Sequence, residues 1–405
     1  MKVIADLSSL CKNKSHIFKN KSMKPTLFFL ILLTFISCKH DKKGGQDNAP
    51  VYQFDLSRND KVSILEICDS IQIIKIPTND SCLLSSAARL KADNKHFYIQ
   101  SQNGIYILDR QGNYLHRIYN VGRGPGEYDS IEEFVIDPFN QSILLVTCWT
   151  GIHEYDFNGK YLQTFRPEGV IHRIFPFDKD IIVCLRGTNR KKIHYFSRKK
   201  EEYISSTFTF PKIIDMVFAY PGFSKEKINY QPITPLNTYY KIEKDRITPI
   251  FHFSTGNSPY TLEQIKFPSI YDKIEQGKAT AQDQVAQRAW LIKTFPITIM
   301  DTRVFGNSII AQFYDVRKGP ENAKIFYVLY NTRDNTYKKF NQFSEKINWK
   351  SLNYFNENEI VYLCEYEQRE EYIPYQLLDE KSKQIYDNMK ENDNQLIVRL
   401  KLKSK

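Results

Sequence analysis

A block of twelve residues returns 47 positions further along the chain, and that repeat sets the architecture. Gly104-Ile105-Tyr106-Ile107-Leu108-Asp109-Arg110-Gln111-Gly112-Asn113-Tyr114-Leu115 aligns with Gly151-Ile152-His153-Glu154-Tyr155-Asp156-Phe157-Asn158-Gly159-Lys160-Tyr161-Leu162, keeping both glycines, the Asp and the Tyr-Leu pair. Each copy reads as a strand, a turn in which Gly supplies a positive φ, and a second strand. The Asp before the turn is placed to accept hydrogen bonds from its own backbone. Upstream of each copy lies another apolar pair, 89–91 with 96–101 and 134–137 with 142–148. Four strands at a period of 40 to 50 residues is the pattern of a propeller blade, a sheet too small to bury its faces alone, which stacks radially on its neighbours.

Further units follow more loosely. Segments 171–177, 181–185, 193–196 and 203–208 make a third; 239–242 and 246–251 are the outer hairpin of a fourth. A fifth comprises 297–304, 308–314, 325–330 and 337–340, and 347–352, 359–365 and 396–402 give three strands of a sixth. Segment 71–76 is a spare strand ahead of the first unit. It is expected to pair beside 396–402 and close the ring, which removes the free sheet edges of an open stack. The predicted fold is therefore all-β, a six-bladed β-propeller, and an aromatic content of 14% with abundant Ile and Tyr suits strands. Two helical insertions interrupt it, near 261–296, opened by the capping-box spacing of Thr261 and Gln264, and near 379–390. Both are expected on one face of the disc, where loops carry specificity.

Ahead of this body stands LFFLILLTFISC, residues 27–38. The apolar run is about eleven residues, short of the roughly 20 that cross a bilayer. Lys24 precedes it and Ser37 precedes Cys38, so it reads as an export signal rather than a membrane span. It resembles a lipobox, with Phe35 where Leu is more usual, which implies acylation of Cys38 and removal of 1–37. Met23-Lys24 already makes a complete basic start, and Met23 is the expected initiator. Residues 38–50, with Gly44-Gly45 and Pro50, form a flexible tether, and 51–405 form the folded body. The expected location is the outer membrane, lipid-anchored, on the periplasmic face, since Lys39-His40-Asp41-Lys42-Lys43 holds no acidic run.

The formal charge of +11 includes six Lys and one Asp in 1–37; without them 51 basic face 45 acidic side chains, about +6. No basic block is interleaved with aromatics as a nucleic-acid footprint requires, so nucleic acid is not an expected partner. Arg190-Lys191-Lys192 and Arg198-Lys199-Lys200 read as the two ends of an exposed strand. Cys148, Cys184 and Cys364 each end a β-rich run and behave as small buried hydrophobes. Cys68 and Cys82 leave a disulfide open. With no CxxC and no nearby His pair, neither a metal nor another cofactor is expected.

After the first complete unit comes Val121-Gly122-Arg123-Gly124-Pro125-Gly126-Glu127-Tyr128. With Ile76-Pro77-Thr78-Asn79-Asp80-Ser81-Cys82-Leu83-Leu84, the Asp-x-x-Gly-x-Tyr-Leu turns, Tyr240-Lys241-Ile242 and Ile247-Thr248-Pro249, it resembles the six-bladed β-propeller lipoproteins with NHL-like repeats of gut-type Gram-negative bacteria. The resemblance covers most of 70–350 and implies a fold and a location, not an activity. Three glycines within five residues can expose consecutive N–H groups to an anion. Arg123, Glu127 and Tyr128 are accordingly the candidate ligand-binding residues. The structural alternative, which the missing P-loop Lys-Ser/Thr favours, is a connection between blades tied down by Arg123 and Glu127.

Catalytic signals are sparse. There is no Gly-x-Ser-x-Gly elbow, and the eight His are scattered. Glu132-Glu133, Glu201-Glu202 and Glu370-Glu371, if in strands, point to opposite faces. Propellers resembling sugar lactonases hold a divalent cation in the central channel, a role open here to Glu133, Asp137 and Asp301. The expected function is binding or scaffolding of a glycan, peptide or envelope protein, with a lactonase- or lyase-like metalloenzyme as the alternative.

Overall fold

The computed structural model describes residues 48–403 apart from 86–87, 148–150, 172, 187–189, 213–216, 219–221, 225–226, 231, 234–235, 245, 257, 260, 349–353 and 357. The export signal, Met23 and Cys38 lie outside the described residues, as does Cys148.

Six small antiparallel sheets form a six-bladed β-propeller. The repeat supplies the first two blades, Arg89–Ala92, His96–Ser101, Gly104–Asp109 and Tyr114–Ile118, then Glu133–Asp137, Ser142–Val146, Ile152–Asp156 and Tyr161–Phe165. Its turns close as their chemistry dictates. Asp109 Oδ1 accepts from Gln111 N and Asn113 N at 2.9 Å, and Asp156 Oδ1 accepts from Asn158 N at 2.9 Å and Lys160 N at 2.8 Å. Gly112 and Gly159 sit at φ +91° and +85°.

Blade 3 runs Arg173–Pro176, Ile181–Leu185, Lys191–Ser197 and Glu202–Thr209. The strand between the two basic clusters is thus the third of its blade, buried from Lys192 to Ser197 instead of exposed. Blade 5 runs Ile297–Phe305, Ser308–Asp315, Lys324–Asn331 and Thr336–Phe340.

Successive residues of one strand serve two seams. Phe134, Ile143 and Leu145 pack towards Tyr98, Ile105 and Ile107 of blade 1, while Val135, Leu144 and Val146 pack towards Ile174, Ile182 and Cys184 of blade 3. Central strands therefore read as unbroken apolar runs, because neighbouring blades cover both of their faces. Each such side chain, fully buried, stabilises by about 1.5 to 3 kcal/mol.

Blades 4 and 6 are completed by chain from far upstream. In blade 6, Tyr354–Phe355, Glu359–Cys364 and Leu396–Leu402 are joined by Cys68–Lys75, which pairs antiparallel to Leu396–Leu402 in the register Ile71↔Leu400 and Ile73↔Val398. The ring closes as the spare strand implied. The innermost strand, however, lies at 354–355, beyond the 347–352 expected. Blade 4, Gly222–Ser224, Lys227–Tyr230, Thr238–Ile242 and Ile247–Ser254, gains a fifth strand, Val51–Gln53, parallel to the last.

Between those two added strands the chain straps blade 5. Tyr52 and Phe54 lie in the seam of blades 4 and 5, with Tyr52 4.2 Å from the Tyr330 ring and Phe54 5.1 Å from that of Phe313. Asp60 N donates to Lys339 O at 2.7 Å, and Lys339 N donates back to Asp60 Oδ2 at 2.9 Å.

In a four-stranded antiparallel blade, second-to-third turns and blade-to-blade connections emerge on one face, and the remaining turns on the other. Helices Ile270–Glu275 and Ala281–Thr294 lie in the connection from blade 4 to blade 5, and helix Glu380–Asp387 lies between the second and third strands of blade 6. Both insertions therefore share one face, with the Gly122–Tyr128 connection. Thr261 opens only a single 3-10 turn, Leu262–Gln264; the longer helix is capped by Thr280, whose Oγ1 accepts from Asp283 N. Cys68 and Cys82 are buried free thiols, pushed up to about 12 and about 11 by burial, so they form no disulfide.

Candidate functional site

The Gly122–Tyr128 connection holds an anion of its own. Glu127 folds back so that Oε2 accepts from Gly124 N at 2.7 Å, and Tyr128 N donates to Asn120 O at 2.9 Å. A Cβ on Gly122 would lie 2.0 Å from Glu127 Oε2, and one on Gly126, at φ +77°, 2.6 Å from the Tyr161 ring. Gly126 is therefore required by its positive φ and the ring beside it, whereas at Gly122 the end of the Glu127 side chain would have to move. The concavity that the glycine spacing suggested is occupied by the Glu127 carboxylate.

Tyr128 is fully buried, and its hydroxyl donates to Asn103 O at 2.9 Å, pinning the connection to blade 1. Arg123 is exposed and makes no hydrogen bond or ion pair among the described residues. The expectation that Arg123 ties the loop down is thus corrected: Glu127 and Tyr128 do so.

The carboxylates considered for a channel metal are each paired with a cation. Glu133, first residue of blade 2, receives Lys91 Nζ at 2.9 Å from blade 1 and an Arg173 guanidinium N–H at 2.5 Å from blade 3. Burial alone would raise its pKa, but the two cations more than offset this and hold it below the usual carboxylate range. Lys91 is lowered, chiefly by burial. Asp137 and Glu154 share Arg198, and Asp301 pairs with Arg303 at 2.8 Å. Among the described residues no group of three or more His, Cys, Asp or Glu is placed to hold a metal ion.

The adjacent carboxylates differ in context. Glu133, the first residue of its strand, is buried, while Glu132 just before the strand is exposed. Glu201 occupies a turn at φ +54°, and Glu370 and Glu371 lie in a short helix, Arg369–Tyr372, so the strand expectation fails for that pair.

The insertion face is built on an aromatic cluster. Trp290 lies 5.3 Å from the Tyr271 ring and 5.7 Å from that of Phe267, over the buried Phe295. The rings pack on one another, and the outer side of the Ala281–Thr294 helix remains open, with Val285 69% exposed.

The opposite, turn-bearing face has an open cleft between blades 2 and 3 with a volume of about 450 Å³. Its floor is the Arg198–Glu154 pair and its rim carries Lys179 and Lys199. Sequence reasoning missed it, because Arg198 was grouped with its basic neighbours. The available signal was its place directly after a β-rich run, where a side chain can turn inward.

Six sheets with an N-terminal strand closing the last make the protein a six-bladed β-propeller whose charged inner wall is neutralised from within. The chain belongs to the family described as a domain of unknown function, DUF4934, whose model matches residues 51–401. A protein of Bacteroides fragilis NCTC 9343 described as exported has a similar structure, with a TM-score of 0.65 at 14% identity over 87% of this chain and 100% of that one. PorZ, a surface component of the type-IX secretion system of Porphyromonas gingivalis, matches with a TM-score of 0.33 at 7% identity, over 72% of this chain and 36% of that one. No curated protein matches the sequence.

Proposed function

We propose that this propeller is exported, held at the outer membrane on its periplasmic side through an acylated Cys38, and serves as a binding or scaffolding module for a protein partner of the envelope. The observation that carries this reading is the concentration of inserted helices on one face of an otherwise regular disc. Loops that exceed what blade connection needs are where propellers present specificity. A protein partner is favoured over a glycan on that face because Trp290, Tyr271 and Phe267 are packed together and not laid open for stacking. The catalytic alternative needs carboxylates available to substrate or metal, whereas Glu133, Asp137 and Asp301 are bound to Lys and Arg side chains. The likeness to an exported propeller and the NHL-like lipoprotein resemblance are in keeping with this location.

A photo-crosslinking side chain placed in cells at Val285, on the insertion face, is expected to give a discrete adduct. The same group at Phe139, in a turn of the opposite face, is expected to give none. Adducts from Phe139 alone would reverse the docking face, and adducts from neither would remove the scaffolding reading. For the anchor, Cys38→Ala is expected to abolish labelling by a fatty-acid analogue and release the protein from membranes. Undiminished labelling would refute it.

A further inference from the structure

We propose that the cleft between blades 2 and 3, on the face opposite the helical insertions, is a binding site for an acidic sugar. The floor is a built feature. Arg198, 9% exposed, reaches from the end of the third strand of blade 3 into blade 2 and binds both Asp137 and Glu154. Charges buried this deeply need partners, and here the two carboxylates find most of theirs within the cluster, while the Arg198 Nε–H meets no acceptor among the described residues. Asp137 Oδ1 accepts from Phe139 N at 2.8 Å and Asn140 N at 3.2 Å, and its Oδ2 from Arg198 and from Asn140 Nδ2 at 3.0 Å. Glu154 Oε1 accepts from Ser142 Oγ at 2.6 Å and Arg198 at 2.8 Å, while Oε2 accepts from Gln163 Nε2 at 2.8 Å. The carboxylates of the floor are thus engaged from within, and its one unmet donor among the described residues is the buried Arg198 Nε–H.

What remains to a ligand comes from the rim, where the Asp180 carboxylate is taken up by Ser197 Oγ and Lys199 N, and three further kinds of group define it. The ammonium groups of Lys179 and Lys199 have no ion-pair partner among the described residues, so they call for an oxyanion. The amides of Asn140 and Gln163 spend their N–H groups inward, on Asp137, Lys179 O and Glu154. Their carbonyl oxygens are left as acceptors, which call for hydroxyl donors beside the anion. Leu162, 47% exposed, adds an apolar contact for a C–H face. An oxyanion, hydroxyls and a C–H face coincide in a sugar bearing a carboxylate or a sulfate, and about 450 Å³ falls within the range of small-molecule sites. The site does not depend on the docking proposed for the other face.

The test uses the purified full chain and calorimetric titration at low ionic strength with glucuronate, galactose 6-sulfate, neutral galactose and inorganic sulfate. Saturable binding of at least one acidic sugar is expected, with the preferred one identifying the anionic group. Neutral galactose and inorganic sulfate should each bind at least tenfold more weakly. The double variant Lys179→Ala/Lys199→Ala, both positions exposed and outside the core, should keep its melting temperature and lose binding by tenfold or more. Gln163→Leu should weaken the sugar while leaving its salt dependence unchanged. No binding by either acidic sugar, equal binding of inorganic sulfate, or a double variant that binds as wild type would each overturn the proposal.

Discussion

Blades 1 and 2 are assembled from contiguous chain, whereas blades 4 and 6 are finished by residues 51–75 reaching across the ring. In the first pair every strand hydrogen-bonds to one nearby in sequence, so a turn closes the sheet at little entropic cost. In the second pair the closing strand meets Leu396–Leu402 over most of the chain's length, and its pairing must wait for the other blades. The difference teaches that the ring has a strong local half and a seam, and that the seam is reinforced threefold. A parallel strand on blade 4, a strap over blade 5 and the closing strand of blade 6 follow one another within 25 residues.

The most severe way to break the comparison is truncation. Removal of residues up to 76 is expected to abolish cooperative unfolding or cause aggregation. Removal up to 57, which takes Tyr52, Phe54 and Leu56 out of the seam, should leave a folded protein of clearly lower melting temperature, and removal up to 48 should change little. Thermal melts with size-exclusion chromatography read all three, and equal stability of the first and last would mean that the ring closes without the N-terminal strands.

Next in size is Glu133→Ala, which leaves the half-buried Lys91 and Arg173 without their shared carboxylate. The expected cost is about 3 to 5 kcal/mol by denaturant unfolding, and a cost below about 1 kcal/mol would show the inner wall to be hydrated.

A matched pair then sets seam against repeat. Asn394 N donates to Thr78 Oγ1 at 2.8 Å, Oδ1 accepts from Leu84 N at 2.8 Å, and Nδ2 donates to Pro77 O at 2.6 Å and Cys82 O at 2.7 Å. It thereby organises the connection from blade 6 to blade 1. Asn394→Ala should cost on the order of 3 kcal/mol, since buried polar groups are left unmet, against about 1 kcal/mol for Asp156→Ala in an exposed turn. The reverse order would put the weak point in the repeat.

Acid should act on the local half. His153 in blade 2 and His194 in blade 3 both have pKa values lowered, chiefly by burial. A lowered folded pKa means that the unfolded chain takes up the proton first, so stability present above about pH 6.5 declines as pH falls below it. Melting temperature should drop from pH 7.5 to 5.5, and His153→Gln with His194→Gln should flatten that slope. A slope unaltered in the double variant would assign the acid sensitivity elsewhere.

The smallest effect is expected at Arg123. Exposed and unbonded among the described residues, it should shift stability by less than about 0.5 kcal/mol when changed to Ala. Tyr128→Phe, which strands Asn103 O, should cost about 1 to 2 kcal/mol in the same melt.

The amino-acid sequence by itself determined the hairpins, the blade period and the closing strand. Each is a local matter: Asp109 and Gly112 act within one turn, and an apolar run such as 142–146 declares a strand covered on both faces. Even the family-like Ile76–Leu84 segment was visible, although its organiser, Asn394, was not. Only the tertiary structure decided which charges turn inward. Arg110 binds Glu359 across 249 positions, and Arg198 crosses from one blade to the next to meet Asp137 and Glu154. Nothing in their spacing marks such partners, because burial of a charge depends on what the neighbouring blade presents. The same reason hid the loop at Gly122. Its glycines announced a concavity for an anion, and whether Glu127 or a ligand fills it was settled by where the folded backbone let that carboxylate reach.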